Sequence, residues 1–301
     1  MSAETQTDSA EASTEALTPA LPGGAIQADA GPGHTITGDL RLHEFSSRVF
    51  RNTRLLRVWL PEGYDLETNR ERQYPVLYLN DGQNLFDAAT SFIGVEWGVD
   101  ETADGLIRMG VIPPMIVVGM DNAQSSRTQE YLPYVTRELP DKTVNGKNYP
   151  RFLMKEVMPF IQQTYRVKTG PENTGLGGSS LGALITLYTV MAKPGVFGRI
   201  LLESPSLFVS ERKVLRQSKS TKAWPQRVFV AIGTNETERE RQRQAVIDDV
   251  LKLEKNLLAA GLGGDRLQVV VDPGATHNEG EWAKRLPAAL EFLFGTLGTS
   301  E

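Results

Sequence analysis

The sequence predicts an α/β protein with a mostly parallel central sheet, helices on both faces and an antiparallel N-terminal edge. From residue 76 onward, short apolar runs alternate with helix-length amphipathic stretches, as βαβ crossovers require. Two longer strand-like runs lie close together before residue 61, which is typical of a hairpin. The 301 residues, 40% of them hydrophobic, suffice for one large core without disulfides.

The N-terminal edge is predicted from residues 40–50 and 54–60, two strands joined by a polar turn. Residues 1–33 are rich in Ala, Thr, Ser, Glu, Gly and Pro and contain no aromatic side chain. Such a stretch cannot bury enough apolar surface to offset its ordering entropy, which predicts a disordered tail. Residues 34–299 are expected to form one domain.

The rest of the sheet is predicted from six short apolar runs at residues 76–80, 115–120, 174–178, 199–203, 227–233 and 267–272. Helices are predicted at residues 99–109, 150–165, 181–191, 238–260 and 282–294. Pro159 is expected to kink the second of these helices. The polar residues 121–148 are typical of a long functional loop. Active residues are expected beyond the carboxyl ends of the strands.

Composition excludes several kinds of chemistry. The chain has no cysteine, so disulfides, a cysteine nucleophile and thiolate metal sites are ruled out. A net charge of −5 argues against nucleic-acid and anionic-membrane partners, and no apolar run approaches the length of a membrane span. His34 and His43 fall in the tail or at a strand surface, far in sequence from His277. No metal or organic cofactor is therefore expected.

The sequence gives weaker indications of cellular location and of surface interactions. The N-terminus lacks the basic and apolar segments of a secretory signal, so a cytoplasmic location is expected unless a signal was removed upstream of this numbering. The basic stretch at residues 212–222 is interpreted as a solvated helix or loop between strands rather than as a polyanion site. Nothing in the sequence predicts an oligomeric state.

The motif that carries chemistry is G-x-S-x-G at residues 178–182, with Ser180 at its centre. A strand-like run precedes it and an apolar helix follows it, which is the setting of a nucleophile elbow. The flanking glycines let the chain turn sharply and lift the Ser180 hydroxyl above the sheet. A dinucleotide-binding loop is the competing interpretation of residues 175–180, but Ser180 stands where that fingerprint needs its third glycine.

A serine nucleophile needs a base, and the base needs an acid. His277 follows the last predicted strand by a short loop, and Glu236 follows the strand before it. Their order after Ser180 is that of the α/β-hydrolases. Glu238 and Asp272 compete with Glu236 for the role of the acid.

The transition state also needs two backbone N–H donors for its oxyanion. In a nucleophile elbow one donor belongs to the residue after the serine, which is Leu181 here. The second is expected in the loop after the strand at residues 76–80, where Gln83 is the first candidate.

Several segments resemble the putative-esterase family of α/β-hydrolases, which includes siderophore, feruloyl and acetylxylan esterases. They are YLNDGQNLFD, GVEWGVDE, EYLPY, GGSSLGALITLY, ESPSLF and GATHNEGEWAKR. The resemblance covers residues 45–296 in order, and the DGQNLFD and H-N-E-x-x-W elements are most similar to the siderophore-esterase branch. It implies the α/β-hydrolase fold and the same triad and oxyanion residues.

The resemblance also implies two substrate contacts. Arg127 stands where members of the family often keep an arginine, and two interpretations stay open: it binds an acidic substrate group or it pairs with Glu130. Trp97 either lines the acyl pocket or lies in the core. Ala183 replaces a glycine common in the family, a small change that still allows tight helix packing.

The predicted function is that of a serine esterase, similar to siderophore esterases, which forms an acyl-enzyme with a Ser-His-Glu triad and cleaves a small-molecule or carbohydrate ester. A feruloyl or acetyl carbohydrate esterase, and an acyltransferase with the same triad, are the alternatives within this chemistry. A non-catalytic binding protein on a hydrolase fold is the alternative of a different class.

Overall fold

The computed structural model describes residues 24–28, 31–137 and 143–295. In this part of the chain, one mixed sheet has the strand order β1-β2-β3-β5-β4-β6-β7-β8-β9. The strands are β1 Ile26–Gln27, β2 Asp39–Ser47, β3 Asn52–Leu60, β4 Val76–Asn80, β5 Ile116–Met120, β6 Thr174–Ser179, β7 Arg199–Glu203, β8 Arg227–Gly233 and β9 Leu267–Asp272. Pairing is antiparallel from β1 through β3 to β5 and parallel elsewhere, so the predicted α/β class with an antiparallel edge is confirmed.

The carboxyl ends of the parallel strands meet at one edge of the sheet. Ser179 lies beside Glu203 in the β6–β7 pair, and Gly233 lies beside Asp272 in the β8–β9 pair. The residues that follow these strands therefore emerge side by side, where active residues of such sheets are found.

Helices cover both faces of the sheet. They are α1 Val99–Arg108, α2 Arg127–Tyr131, α3 Tyr149–Phe152, α4 Met158–Thr164, α5 Leu181–Ala192, α6 Val209–Ser218, α7 Glu240–Ala259 and α8 Glu279–Phe294. One core contains side chains of α5 and α7, and a second core contains side chains of α1 and α8. Within the described ranges, no helix is both long and apolar enough to cross a membrane.

Two helical regions differ from the prediction, and in a third the structure has the helical one of the two predicted alternatives. Helix α2 lies inside the predicted long loop. Helix α6 contains much of the basic stretch, which was predicted to be either a helix or a loop. The predicted helix at residues 150–165 divides into α3, a π-helical turn at Leu153–Val157 and α4. Pro159 has no N–H for the carbonyl of Lys155 and its ring crowds that carbonyl, so the helix widens just before the proline.

The N-terminal segment contributes ordered contacts within the predicted tail. Ile26–Gln27 pair with β2, and the Ala28 N–H donates to the Leu40 carbonyl at 2.9 Å. Residues 1–23 and 29–30 lie outside the described residues, so the boundary at residue 33 stays a prediction. His43, expected at a strand surface, is instead buried, with its Nε2 2.6 Å from the Tyr165 hydroxyl.

Three carboxyl groups crowd the start of α1. Glu96, Asp100 and Glu101 lie within 4.8 Å of one another, and the Asp100 side chain is fully buried. Burial, together with the neighbouring Glu101 carboxyl, raises the pKa of Asp100 to about 9. Burial likewise raises the pKa of Glu96 to about 7. Folding therefore favours protonated carboxyls here.

This cluster predicts that stability declines as the pH rises. An aspartate with a higher pKa in the folded state retains its proton after the unfolded chain has lost it, so the free energy of unfolding falls from about pH 4 upward. We expect Asp100→Asn to raise the free energy of unfolding by about 2–4 kcal/mol at pH 8 and by much less at pH 4. Urea unfolding at both pH values measures this difference. The exposed Asp248→Asn is the matched control, and an equal effect of the two variants would contradict the assignment.

Candidate active site

Ser180 occupies a strained turn between β6 and α5. Its φ of 55° and ψ of −121° are rarely adopted by residues other than glycine. The flanking glycines are required sterically, because a Cβ on Gly178 would come within 2.9 Å of the Gly182 backbone. The Ser180 N–H donates to the Glu203 carbonyl at 2.9 Å, which fixes the turn against β7.

His277 and Glu236 meet above the ends of β8 and β9. The Glu236 carboxylate accepts a hydrogen bond from His277 Nδ1 through Oε2. The loops are held together because the Asn235 N–H donates to the Ala275 carbonyl at 2.9 Å. Burial alone would raise the pKa of Glu236, but the hydrogen bond and charge of His277, with further donors, hold that pKa below its ordinary value. Glu236 is therefore an ionised partner for the imidazole.

Ser180 and His277 line the same cavity without a direct hydrogen bond. The Ser180 Oγ lies 3.2 Å from the Ser206 Oγ, and no hydrogen bond within the described residues joins it to His277. Contacts of this kind commonly tighten only when substrate is bound. The structure thus brings the serine and the His–Glu pair to one cavity, with the serine turned toward Ser206.

Neither competing acid faces His277. Asp272 instead accepts a hydrogen bond from Arg285 Nη1 at 2.9 Å, and the Glu238 side chain is exposed. Arg285 also donates to Glu203, which is buried behind the site. Burial raises the pKa of Glu203 to about 7, although Arg285 opposes that rise.

A hydrogen-bonded chain behind the acid was not predicted from the sequence. The Glu236 Oε1 accepts from the Ser204 hydroxyl at 2.7 Å and from the Gly233 N–H at 2.7 Å. The Ser204 hydroxyl in turn accepts from Trp282 Nε1 at 2.9 Å. The Trp282 ring meets His277 edge-on, with ring centroids 5.2 Å apart. One tryptophan therefore contacts the imidazole directly and the acid through Ser204.

We expect Ser204→Ala to slow catalysis without weakening substrate binding. The change removes one of two donors to Glu236 Oε1 and leaves Trp282 Nε1 without its acceptor. Loss of one such contact costs about 1–2 kcal/mol, or roughly tenfold in kcat, with KM nearly unchanged. Steady-state kinetics on a p-nitrophenyl ester measure both parameters. The exposed Ser220→Ala is the control, and a purely KM effect of Ser204→Ala would contradict the positioning role.

The predicted oxyanion donors lie at two helical starts. Leu181 is the first residue of α5, and Gln83 lies in a 3₁₀ turn at Gly82–Asn84. N–H groups at such positions have no acceptor within their own helix and are free to bind an anion. Gly82 is required for close packing, since a Cβ there would lie 2.7 Å from the Gly119 carbonyl carbon. Both Gln83 and Ser180 line the cavity.

Arg127 lines the cavity but does not pair with Glu130. Its guanidinium donates to Asp81 Oδ1 at 2.6 Å and to Oδ2 at 2.8 Å. Glu130 is instead held by Arg54 at 2.7 Å. Arg127 therefore forms a contact that was not predicted from the sequence, a bidentate ion pair with Asp81 in the cavity wall.

Trp97 lies in the core, which is one of its two predicted positions, and not in the wall of the cavity. Its side chain is 1% exposed and packs against Trp282, with ring centroids 5.9 Å apart. It is absent from the described residues that line the cavity. Trp282, from α8, is the tryptophan that lines it.

The cavity has a volume of about 1010 Å³. Its lining comprises Leu55, Arg57, Asp81, Gln83, Asn84, Thr90, Phe92, Ile93, Asp121, Asn122, Gln124, Ser125, Arg127, Ser179, Ser180, His277, Glu279 and Trp282. In the described ranges, the group of side chains close enough to hold a metal ion is the carboxyl cluster at the start of α1, and none of its members lines this cavity. The arrangement suits nucleophilic chemistry by a serine.

The chain is similar to proteins of an esterase family. Residues 47–293 match the family described as "Putative esterase". The chain is 26% identical over 266 residues to the uncharacterized protein YbbA of Bacillus subtilis, covering 86% of this chain and 97% of that protein. It is 24% identical over 222 residues to the ferri-bacillibactin esterase BesA of the same organism, covering 68% of this chain and 73% of BesA.

A solved structure is similar over nearly the whole chain. The ferulic acid esterase AmCE1/Fae1A from Anaeromyces mucronatus, determined in complex with ferulic acid, superposes with a TM-score of 0.62 at 20% identity. The match covers 88% of this chain and 92% of that one. At this identity the likeness establishes a shared fold.

Proposed function

The chain belongs to the putative esterase family and is a carboxylic ester hydrolase, and we propose that it cleaves its substrate as a serine esterase with Ser180, His277 and Glu236 as the triad. The observation that carries this proposal is the hydrogen bond from His277 to Glu236, since His277 lines the same cavity as Ser180, which lies on a strained turn. A nucleophile, a base and an ionised orienting acid are the parts that acyl transfer by serine needs.

In the first half of the reaction, His277 Nε2 takes the proton of the Ser180 hydroxyl while the Oγ attacks the ester carbonyl carbon. The carbonyl oxygen becomes an oxyanion, which accepts hydrogen bonds from the Leu181 and Gln83 N–H groups. Collapse of this intermediate breaks the ester C–O bond, and the imidazolium gives its proton to the departing alkoxide. The products of this half are the free alcohol and an ester on Ser180.

In the second half, water attacks the acyl-enzyme and His277 takes the water proton. Collapse returns that proton to the Ser180 Oγ and releases the carboxylic acid. Glu236 stabilises the imidazolium in both halves because its Oε2 faces Nδ1. An alcohol in place of water would make the same chain an acyltransferase, and that outcome stays an alternative.

Two substrate types are supported by different comparisons. The relative BesA acts on a ferri-bacillibactin ester by its name, which supports the siderophore-type hypothesis for this chain. The shared fold with a ferulic acid esterase, together with the apolar side chains of Phe92 and Ile93 at the cavity, supports a feruloyl-type ester as the second candidate.

The proposal is tested by covalent labelling. We expect a fluorophosphonate to inactivate the protein and to leave one adduct, which mass spectrometry locates in the tryptic peptide that contains Ser180. The same preparation should hydrolyse at least one of p-nitrophenyl acetate, p-nitrophenyl butyrate and methyl ferulate. An adduct on another serine would overturn the nucleophile assignment. Absence of both labelling and hydrolysis in folded protein would favour the non-catalytic binding protein.

A further inference from the structure

The cations of the cavity are already paired. Arg127 forms its bidentate contact with Asp81, and Arg57 donates to Asp121 at 2.7 and 3.0 Å. All four side chains line the cavity. A carboxylate held in this way neutralises the charge of the guanidinium and occupies two of its five N–H donors.

The net charge of the lining is not positive. Besides the two ion pairs, Glu279 adds a carboxyl group and His277 is the remaining titratable side chain among the described lining residues. Because His277 must be neutral to act as a base, the lining is negative when Glu279 is ionised and neutral when it is protonated. In neither state does it attract an anion.

Apolar side chains also line the cavity. Phe92 is 88% exposed and Ile93 is 52% exposed, and both line the cavity with Leu55 and Trp282. The Phe92 N–H donates to Asn84 Oδ1 at 3.1 Å, so the ring is presented on a segment tied to the oxyanion turn. Solvent-exposed aromatic rings at a cavity are well suited to cover an apolar ligand group.

We propose that this cavity selects uncharged esters with an aromatic or other apolar acyl group and disfavours anionic esters, including triply negative ferric tris-catecholates. This selectivity rests on the proposed esterase function and favours the feruloyl-type candidate over the siderophore-type one. The ionised Glu279 carboxyl repels an anion, and the two arginine charges that could attract one are already neutralised by carboxylates. Arg57 and Arg127 therefore contribute to specificity because, when paired with carboxylates, they do not attract an anionic substrate.

The first test compares two esters of similar length. In p-nitrophenyl succinate a carboxylate replaces the terminal methyl group of p-nitrophenyl butyrate. We expect kcat/KM of the wild type to be at least about tenfold lower for the succinate at low salt, and the gap to narrow toward about 0.5 M salt as the repulsion is screened. Equal or faster cleavage of the succinate would overturn the inference. Failure to cleave either ester would overturn the esterase proposal itself.

The second test changes the charge of the wall. Asp121→Asn releases Arg57 from its pair and should raise the succinate-to-butyrate ratio of kcat/KM by about fivefold or more. Asp248→Asn, an exposed change of the same kind on α7, should leave the ratio unaltered. An unaltered ratio in folded Asp121→Asn would contradict the role of the pair. If this variant fails to fold, the salt dependence of the wild type decides.

The third test addresses the apolar side chains of the cavity. Phe92→Ala should lower kcat/KM for methyl ferulate by about tenfold while changing that for p-nitrophenyl acetate much less, because the acetyl group is too short to need the ring. Phe92→Leu should retain part of the preference. An equal loss on both esters would show that the ring supports the oxyanion turn rather than the acyl group, and would overturn this part of the inference.

Discussion

Ser180→Ala is expected to lower kcat by at least about a thousandfold on any ester that the wild type cleaves, because no other hydroxyl can attack from the strained turn. The residual rate would come from the oxyanion donors and from substrate binding. Steady-state hydrolysis of p-nitrophenyl butyrate measures the loss. Full activity of Ser180→Ala would mean that the nucleophile is wrongly assigned.

Ser206→Ala is the matched control for this prediction. Its hydroxyl lies 3.2 Å from the Ser180 Oγ, so it is the serine best placed to substitute if the assignment were wrong. We expect this variant to lose less than about tenfold, since the contact holds one resting orientation of Ser180 and takes no part in bond formation. A larger loss in Ser206→Ala than in Ser180→Ala would reverse the two roles.

The strained backbone at Ser180 allows a second measurement, the stability of two Ser180 variants. Its positive φ of 55° is equally unfavourable for serine and alanine but is accessible to glycine. Ser180→Gly should therefore be as inactive as Ser180→Ala and more stable than it by about 1 kcal/mol. Thermal or urea unfolding of the two variants tests whether strain is stored at Ser180.

Much of the sheet could be predicted because buried parallel strands are continuous apolar runs with clear polar ends. The predicted bounds of β4, β7, β8 and β9 agree with the structure. Helix α6 was less predictable because residues 210–212 have positive φ values, which no side-chain pattern signals. The π turn before Pro159 similarly depends on how the chain relieves a clash, although the proline itself marked the place.

The order of the candidate triad followed from the strands that carry it, whereas its surroundings depend on contacts between distant segments. Arg127 and Asp81 are 46 residues apart, and Ser204 and Glu236 are 32 residues apart. Pairing of this kind is decided by packing, because several carboxylates in the sequence could have satisfied Arg127. Ser204 and Ser206 both lie in the motif ESPSLF, so the sequence already indicated that this segment could contribute to the site.

Glu236→Gln is expected to lower kcat by about 10³–10⁴-fold while leaving the fold intact. The reason lies in the donors around the carboxylate. The Gly233 N–H and the Ser204 hydroxyl both donate to Oε1, so the amide oxygen of glutamine must occupy that position. Its NH₂ group then faces His277 Nδ1 and can only donate to it. The imidazole proton is forced onto Nε2, which can no longer accept the proton of Ser180.

Glu238→Gln separates this tautomer effect from a general loss of charge. Glu238 lies two residues away on the same loop, is exposed, and was a candidate acid in the sequence. Kinetics on p-nitrophenyl butyrate should show near wild-type kcat for Glu238→Gln and the large loss for Glu236→Gln. NMR of the His277 ring nitrogens should place the proton on Nε2 in Glu236→Gln alone. A comparable loss in both variants would indicate that the loop acts through its overall charge, and Glu236 would then have no special role.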